Sequence, residues 1–220
     1  MILQIADVLS AEQLTNMRTT LAGEAAGFTS GKATAGWYVK DIKHNDQAAG
    51  PAAESAVAAV KQALLSNVVF RSSARPKEFV KVLVSRYQPG MAYGTHVDDA
   101  LMGGKRTDMS FTLFLSEPEH YDGGELVIEG NDGDSMIKLP PGSLVLYPTT
   151  SLHRVNEVTR GERLAIVGWV RSYFRSPEQR ETLFDLDQAI AGLQGAGVER
   201  AVSDRVFKVR NILTRMWAED

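Results

Sequence analysis

Between Glu78 and Ser172 the sequence breaks into short runs of β-branched and aromatic residues: EFVKVLVSRY, DMSFTLFLS (108–116), ELVIE, SMIKL, SLVLY and RLAIVGWVRS (163–172). They are cut apart by Pro89-Gly90, Asp122-Gly123-Gly124, Asn131-Asp132-Gly133 and Pro140-Pro141-Gly142. Branched and aromatic side chains fit a pleated, half-buried surface, while glycine, proline and asparagine turn the chain. Asn131-Asp132-Gly133 is placed to join ELVIE to SMIKL as a hairpin. Many short strands joined by tight turns bury their apolar faces by closing on one another. The expected fold is therefore mainly β, a β-sandwich or jelly roll with helices on its outside.

The helices are predicted at the two ends. Ser10-Ala11-Glu12-Gln13 is a capping-box pattern, and Leu14, Met17 and Leu21 follow at helical spacing. The glycine-rich stretch from Gly23 to Gly36 ends that helix. A second helix is predicted from about Pro51 to Leu65, with Val57, Val60 and Leu64 on one face. After 175 the pattern changes again. Ser176 caps, Pro177 suits the first helical position and Gln179 completes a capping box. Leu183, Leu186, Ile190 and Leu193 form one stripe; beyond Gly195 and Gly197, Val202, Val206, Val209, Leu213 and Met216 form another. Two such stripes predict a helical hairpin packed on itself and on the barrel, with part of it available as a homo-oligomer interface. The expected organisation is a jelly-roll domain with N-terminal helices over 1–175 and a C-terminal helical hairpin over 176–220.

Composition narrows the chemistry. With 220 residues, 44% hydrophobic and 23% charged, the chain can bury a sizeable core. A net charge of −3 without a long basic run gives no reason to expect a nucleic-acid partner. MILQIADVLS lacks the basic region and apolar stretch of a signal peptide, and no run approaches the roughly 18 apolar residues of a membrane span. There is no cysteine, which removes disulfides, iron–sulfur clusters and thiolate zinc sites together. That suits the cytoplasm, the expected location. A metal, if bound, is held by His, Asp, Glu or carbonyl oxygen.

There are four histidines: His44, His96, His120 and His153. His96 and Asp98 lie two apart in YGTHVDDALMGG. On an extended chain they project to one side while Val97 and Asp99 point away. A bare His-x-Asp is weak evidence for a metal. His153, in SLHRVNEV after the SLVLY strand, adds a second imidazole. Two histidines and a carboxylate make a facial triad, which suits Fe(II) and leaves positions open for ligands. Arg163 follows His153 by ten residues, across the turn Arg160-Gly161-Glu162. This predicts neighbouring antiparallel strands joined by a three-residue loop, with Gly161 supporting a positive φ. Arg163 then stands some way from the metal, placed to pair bidentately with the far carboxylate of a short dicarboxylate.

RYQPGMAYGTHVDD, FTLFLSE, YDGGELVIEG, GSLVLYPTTSLHRV and RGERLAIVGWV together resemble the Fe(II)- and 2-oxoglutarate-dependent dioxygenases of the prolyl-hydroxylase type. They are most similar to the bacterial PKHD-type hydroxylases, the PiuC/YbiX group, over nearly the whole chain. The resemblance implies a double-stranded β-helix (jelly roll). It implies iron ligation by His96, Asp98 and His153, and 2-oxoglutarate held by Arg163 with Tyr87 lining its pocket. Where animal prolyl hydroxylases have a second tyrosine near the co-substrate, this chain has Phe114, so Thr112, Tyr87 or Tyr147 is expected to assist Arg163. The implied reaction hydroxylates a C–H bond with O2 while 2-oxoglutarate is oxidatively decarboxylated to succinate and CO2. L-Ascorbate is the implied reductant, and the group's link to iron acquisition implies a substrate in iron homeostasis, small-molecule or peptidyl.

Each residue also has a plainer reading. The histidines read alone are surface residues, Arg163 a solvated strand-start arginine paired with Glu157 or Glu162, and Tyr87 a core tyrosine. Tyr93 and Tyr147 read as packing residues, His44 and His120 as solvated loop residues, and Gly123 and Gly124 as turn formers. ALMGGKR (100–106) reads as a flexible lid, with Lys105 and Arg106 favouring an anionic group. Two other function classes fit part of the pattern. A non-catalytic module sensing iron and 2-oxoglutarate would act through its helical tail. A zinc hydrolase on a similar barrel would leave Arg163 without a role.

Overall fold

The computed structural model describes residues 1–22 and 26–219. The expected helix end at Gly23 lies outside the described residues. Among the described residues, two large antiparallel sheets face each other. The seven-stranded sheet runs β1 (Leu3–Ile5), β13 (Leu144–Pro148), β9 (Met109–Phe114), β16 (Arg163–Ser172), β5 (Pro76–Tyr87), β4 (Asp46–Gln47) and β2 (Thr29–Ser30). The five-stranded sheet runs β12 (Ser135–Ile137), β11 (Leu126–Ile128), β14 (His153–Val155), β6 (Ala92–His96) and β3 (Lys43–His44). Two small ribbons pair β10 (Asp122–Gly123) with β15 (Val158–Arg160), and β7 (Leu101–Met102) with β8 (Lys105–Arg106). This is a double-stranded β-helix.

The central strands of the larger sheet, β13, β9 and most of β16, are buried on both faces, which explains their long apolar runs. One face carries Val84, Phe111, Leu113, Leu144, Leu146, Leu164, Ile166 and Val170 into a core shared with helices α1 (Ala11–Ala22), α2 (Pro51–Ser66) and α3 (Val68–Ala74). Met17, Leu21, Val60, Leu64 and Phe70 come from those helices. The other face gives Tyr87, Phe114, Val145 and Tyr147 to a second core with Leu126, Ile128, Ile137 and Val155 of the smaller sheet. The period-two alternation of a strand thus sorts one run of residues into two cores. The capping box of α1 is reciprocal: Gln13 N–H donates to Ser10 Oγ at 3.2 Å, and Ser10 N–H to Gln13 Oε1 at 2.9 Å.

The C-terminal hairpin consists of α4 (Pro177–Gly195) and α5 (Arg200–Trp217). Gln179 N–H donates to Ser176 Oγ as the cap requires, and the Ser176 hydroxyl in turn donates to Glu178. Leu183 is fully buried, and Asp187 pairs with both Arg75 and Arg210. The α5 stripe is only partly covered: Val202, Val209 and Met216 remain exposed. The two helices pack on each other as expected, and it is α4 that packs on the rest of the chain, through α3.

A second correction concerns His153 and Arg163. β14 lies between β11 and β6 in the smaller sheet, while β16 lies between β9 and β5 in the larger. The two residues are not on neighbouring strands. The intervening β15 pairs with β10 and carries the chain from one sheet to the other, so no parity condition on a hairpin loop applies. Gly161 does take positive φ (+74°), and a Cβ there would lie 2.0 Å from the His120 carbonyl oxygen.

Leu64→Ala, in the core beneath the larger sheet, is expected to destabilise the protein by about 3 kcal/mol through lost burial and cavity formation. Val209→Ala on the exposed α5 face is expected to cost less than about 0.5 kcal/mol. Urea unfolding of the two variants measures the contrast.

Candidate active site and metal centre

The two sheets enclose a cavity of about 980 Å³, and His96, Asp98, His153 and Arg163 all line it. Strand pairing brings the imidazoles together: His153 of β14 is directly opposite His96 of β6. The rings lie 4.2 Å apart between centroids. Asp98 follows β6 by two residues, its side chain buried, while Val97 and Asp99 are exposed as strand alternation requires. Asp98 Oδ1 lies 3.7 Å from His96 Nε2 and Oδ2 lies 3.8 Å from His153 Nε2. One donor atom from each residue falls within 4.8 Å of the others, close enough for a single ion to bridge all three.

The surroundings set the protonation of these donors. His96 Nδ1 meets the Gly94 carbonyl at 2.8 Å and His153 Nδ1 meets the Ser151 carbonyl at 3.0 Å. A carbonyl accepts only, so each Nδ1 carries the hydrogen and each Nε2 lone pair faces the cluster. His96 Nε2 is buried with no hydrogen-bond partner. Burial, followed by the charge of His153, pushes the His96 pKa down to about 4, so the ring stays neutral and able to ligate. Tyr93 stacks on His96 at 3.7 Å and fixes its plane. Ser110 Oγ donates to Asp98 Oδ2 at 2.8 Å, orienting the carboxylate. These are the features of a metal site with its supporting shell, and the donor set of two nitrogens and one oxygen suits Fe(II).

Arg163 begins β16 directly opposite Tyr87, the last residue of β5. It is 1% exposed, and among the described residues its guanidinium has no carboxylate partner and no well-formed hydrogen bond. The guanidinium lies 5.3 Å from both the Tyr87 and the Phe114 ring centroids, held between two aromatic faces. A permanently charged fork buried without an anion is costly unless one is supplied. The plainer reading, a solvated arginine paired with Glu157 or Glu162, is excluded by this burial. Gly124 makes room for the arrangement: a Cβ there would come within about 3 Å of Arg163 Cδ and the Tyr121 ring.

The 2OG-Fe(II) oxygenase superfamily model matches residues 82–171. A PKHD-type hydroxylase of Parvibaculum lavamentivorans is 50% identical over 222 residues, covering both chains completely. Another from Maricaulis maris is 49% identical over 221 residues, again covering both completely. The chain belongs to the PKHD-type hydroxylases of the 2OG-Fe(II) oxygenase superfamily. It is a 2-oxoglutarate-dependent dioxygenase with Fe(II) and 2-oxoglutarate as cofactor and co-substrate. Its fold is similar to the crystal structure of a Pseudomonas putida prolyl-4-hydroxylase, with a TM-score of 0.58 at 23% identity, covering 78% of this chain and 92% of that one.

In this hydroxylase the other two histidines are solvated, as expected. His44 is exposed, with Nε2 on the Asp41 carbonyl, and His120 is exposed in a short 3-10 turn; neither lines the cavity. The 100–106 segment is an ordered ribbon, β7–β8, turning at Gly103-Gly104 with positive φ. Lys105 pairs with Glu78, and Arg106 with Asp108 and Glu219. Arg106 does not line the cavity, and Lys105, which does, is already paired. Arg106 thus departs from the expected position facing the cavity, while Lys105 faces it in a pair with Glu78. Tyr93, Tyr147 and Thr112 do line the cavity.

Other residues in the site carried no sequence signal. Asn45, buried, donates to Ser85 Oγ at 2.8 Å and to the Tyr87 hydroxyl at 3.3 Å, positioning Tyr87. Burial raises the Tyr87 pKa against the opposing pull of Arg163, keeping it a phenol. Tyr121 is fully buried beside Arg163; burial raises its pKa and the nearby Arg163 guanidinium lowers it. Lys43 is 6% exposed on β3 and also lines the cavity. A lone Asn or Lys in a polar stretch has no periodicity to reveal it; only the β3–β6 and β4–β5 pairings bring these residues inward.

Removing the Ser110 hydroxyl leaves Asp98 free to rotate. Ser110→Ala is expected to weaken divalent-metal binding about ten-fold or more, measured by calorimetric titration with Mn(II). The unfolding midpoint should change little by comparison.

Proposed function

We propose that His96, Asp98 and His153 hold the iron through His96 Nε2, His153 Nε2 and a carboxylate oxygen. Arg163 then binds the distal carboxylate of 2-oxoglutarate, with Tyr87 lining the same pocket. The observation that carries this reading is the buried Arg163 fork without an anion, in one cavity with a metal-competent triad. Iron bound there supplies O2 activation, coupling hydroxylation of a substrate C–H to conversion of 2-oxoglutarate and O2 into succinate and CO2. The chain's own residues do the rest. With Nδ1 of each ring held on a backbone carbonyl, the imidazoles turn Nε2 toward the cluster, and Ser110 holds the carboxylate. Tyr87 and Phe114 flank the guanidinium and exclude water from it. Phe114 cannot hydrogen-bond a carboxylate, so the bidentate Arg163 contact is assisted by Thr112, Tyr87 or Tyr147, which line the same cavity.

A non-catalytic sensing role needs no turnover, whereas this reading requires succinate release from 2-oxoglutarate with iron. His153→Ala is expected to abolish that release and to lose metal binding. Arg163→Met is expected to raise the KM for 2-oxoglutarate by about 30- to 100-fold, the worth of a charge-assisted bidentate contact, with metal affinity nearly unchanged. Equal KM values in wild type and Arg163→Met would overturn the assignment. Ascorbate is expected to prolong turnover when substrate is absent. The substrate, for which a compound of iron homeostasis is the first choice, is sought by screening metabolites and peptides for a gain of one oxygen that requires both enzyme and 2-oxoglutarate.

A further inference from the structure

Six residues along β5 and β16 from the Tyr87–Arg163 pair, Lys81 stands directly opposite Trp169. At about 3.3 Å per residue the two pairs are about 20 Å apart. Both pairs line the cavity, Arg163 fully buried and Lys81 and Trp169 partly exposed. They therefore mark its inner and outer ends. Across the cavity, Lys43 is 6% exposed, its Nζ 5.3 Å from the Tyr93 ring centroid, and donates to Thr34 Oγ1 at 3.2 Å. Among the described residues neither Lys43 nor Lys81 has an ion-pair partner. The two are close enough that Lys81 joins burial in driving the Lys43 pKa down to about 8, against the opposing field of Asp98.

Buried lysines are ordinarily paired, and two ammonium groups repel each other across a cavity wall. The other charged residues lining the cavity are Asp98, Asp99, Lys105 and Arg163. In the reading above, on which this inference rests, Asp98 and Arg163 belong to the reaction centre. Lys105 is paired with Glu78, and Asp99 is exposed with its carboxylate against Gly36. Lys43 and Lys81 remain as positive charge facing the space left for substrate. Trp37 and Tyr38, 89% and 74% exposed, line the same cavity with their rings edge-to-face and offer an apolar wall.

We propose that Lys43 and Lys81 form an anion-recognition site for the primary substrate, so that the hydroxylated compound carries a carboxylate near an apolar body. The carboxylate could belong to a free small acid or to an acidic side chain of a peptide, and the two are separated by the probes below.

The test uses the full chain loaded with zinc and saturating 2-oxoglutarate, which occupies the Arg163 end. Benzoate, its isosteres benzamide and benzylamine, and N-acetylated tetraglutamate are titrated by calorimetry and by the NMR shift of the Trp169 indole N–H, assigned with Trp169→Phe. Benzoate or the peptide is expected to bind about ten-fold or more tightly than benzamide, and to shift the Trp169 signal. The tighter of the two identifies the source of the carboxylate. Lys43→Met and Lys81→Met are each expected to weaken that binding several-fold with 2-oxoglutarate affinity unchanged. The double charge reversal K43E/K81E is expected to favour benzylamine. Should Lys43→Met disturb folding, the more exposed Lys81 carries the test. Equal affinity for benzoate, peptide and benzamide in the wild type, or carboxylate binding indifferent to both substitutions, overturns the proposal. Failure of the wild type to bind 2-oxoglutarate would instead overturn the Arg163 assignment.

Discussion

The antiparallel ladder between β5 and β16 is the element on which the rest of the structure depends. It runs from Arg163 opposite Tyr87 to Ser172 opposite Pro76. Side chains alternate across it, so its register decides which residues face the helices and which face the cavity. A slip of one residue would send Arg163 into the apolar core beneath the sheet and bring Leu164 and Ile166 to the cavity. The depth of that core, with Val84, Ile166 and Val170 all at most 1% exposed, holds the register in place.

From that ladder the cavity acquires two ends of different chemistry. The inner end holds a guanidinium between aromatic faces, and the outer end holds an ammonium and an indole. The metal-competent cluster comes from the other sheet, where β6 and β14 put two imidazoles opposite each other. Burial serves two purposes there. It keeps His96 neutral and ready to ligate, and it leaves Arg163 with an electrostatic need for an anion. The two sheets thus contribute complementary halves, one the nitrogen and oxygen donors, the other the cation.

Much of this was legible in the sequence. The strand runs and their turn residues marked the β elements closely, and 163–172 is β16 to the residue. His96 and Asp98 were legible because a two-residue spacing on extended chain forces a common direction. Arg163 was legible as a partner for a carboxylate, but its route was misread, since the ten residues after His153 cross between sheets instead of folding back in one. Lys105 and Arg106 looked free because their ion pairs with Glu78 and Glu219 join residues 27 and 113 positions apart. Local sequence holds no record of such pairs. The exposed side of α5 was misread for a related reason: an apolar stripe shows that a helix has a face, not that a neighbour covers it.

By itself the sequence determined the longer strands and helices, the absence of thiol chemistry and the His96–Asp98 pair of candidate donors, because these follow from side-chain type and short-range periodicity. Only the tertiary structure decided that β14 and β16 lie in different sheets, that Asn45 positions Tyr87, and that Lys43 and Lys81 line the cavity without an ion-pair partner among the described residues. Those outcomes depend on which strands pair and in what register. That choice is made by the burial of distant apolar residues, and no short stretch of the chain contains it.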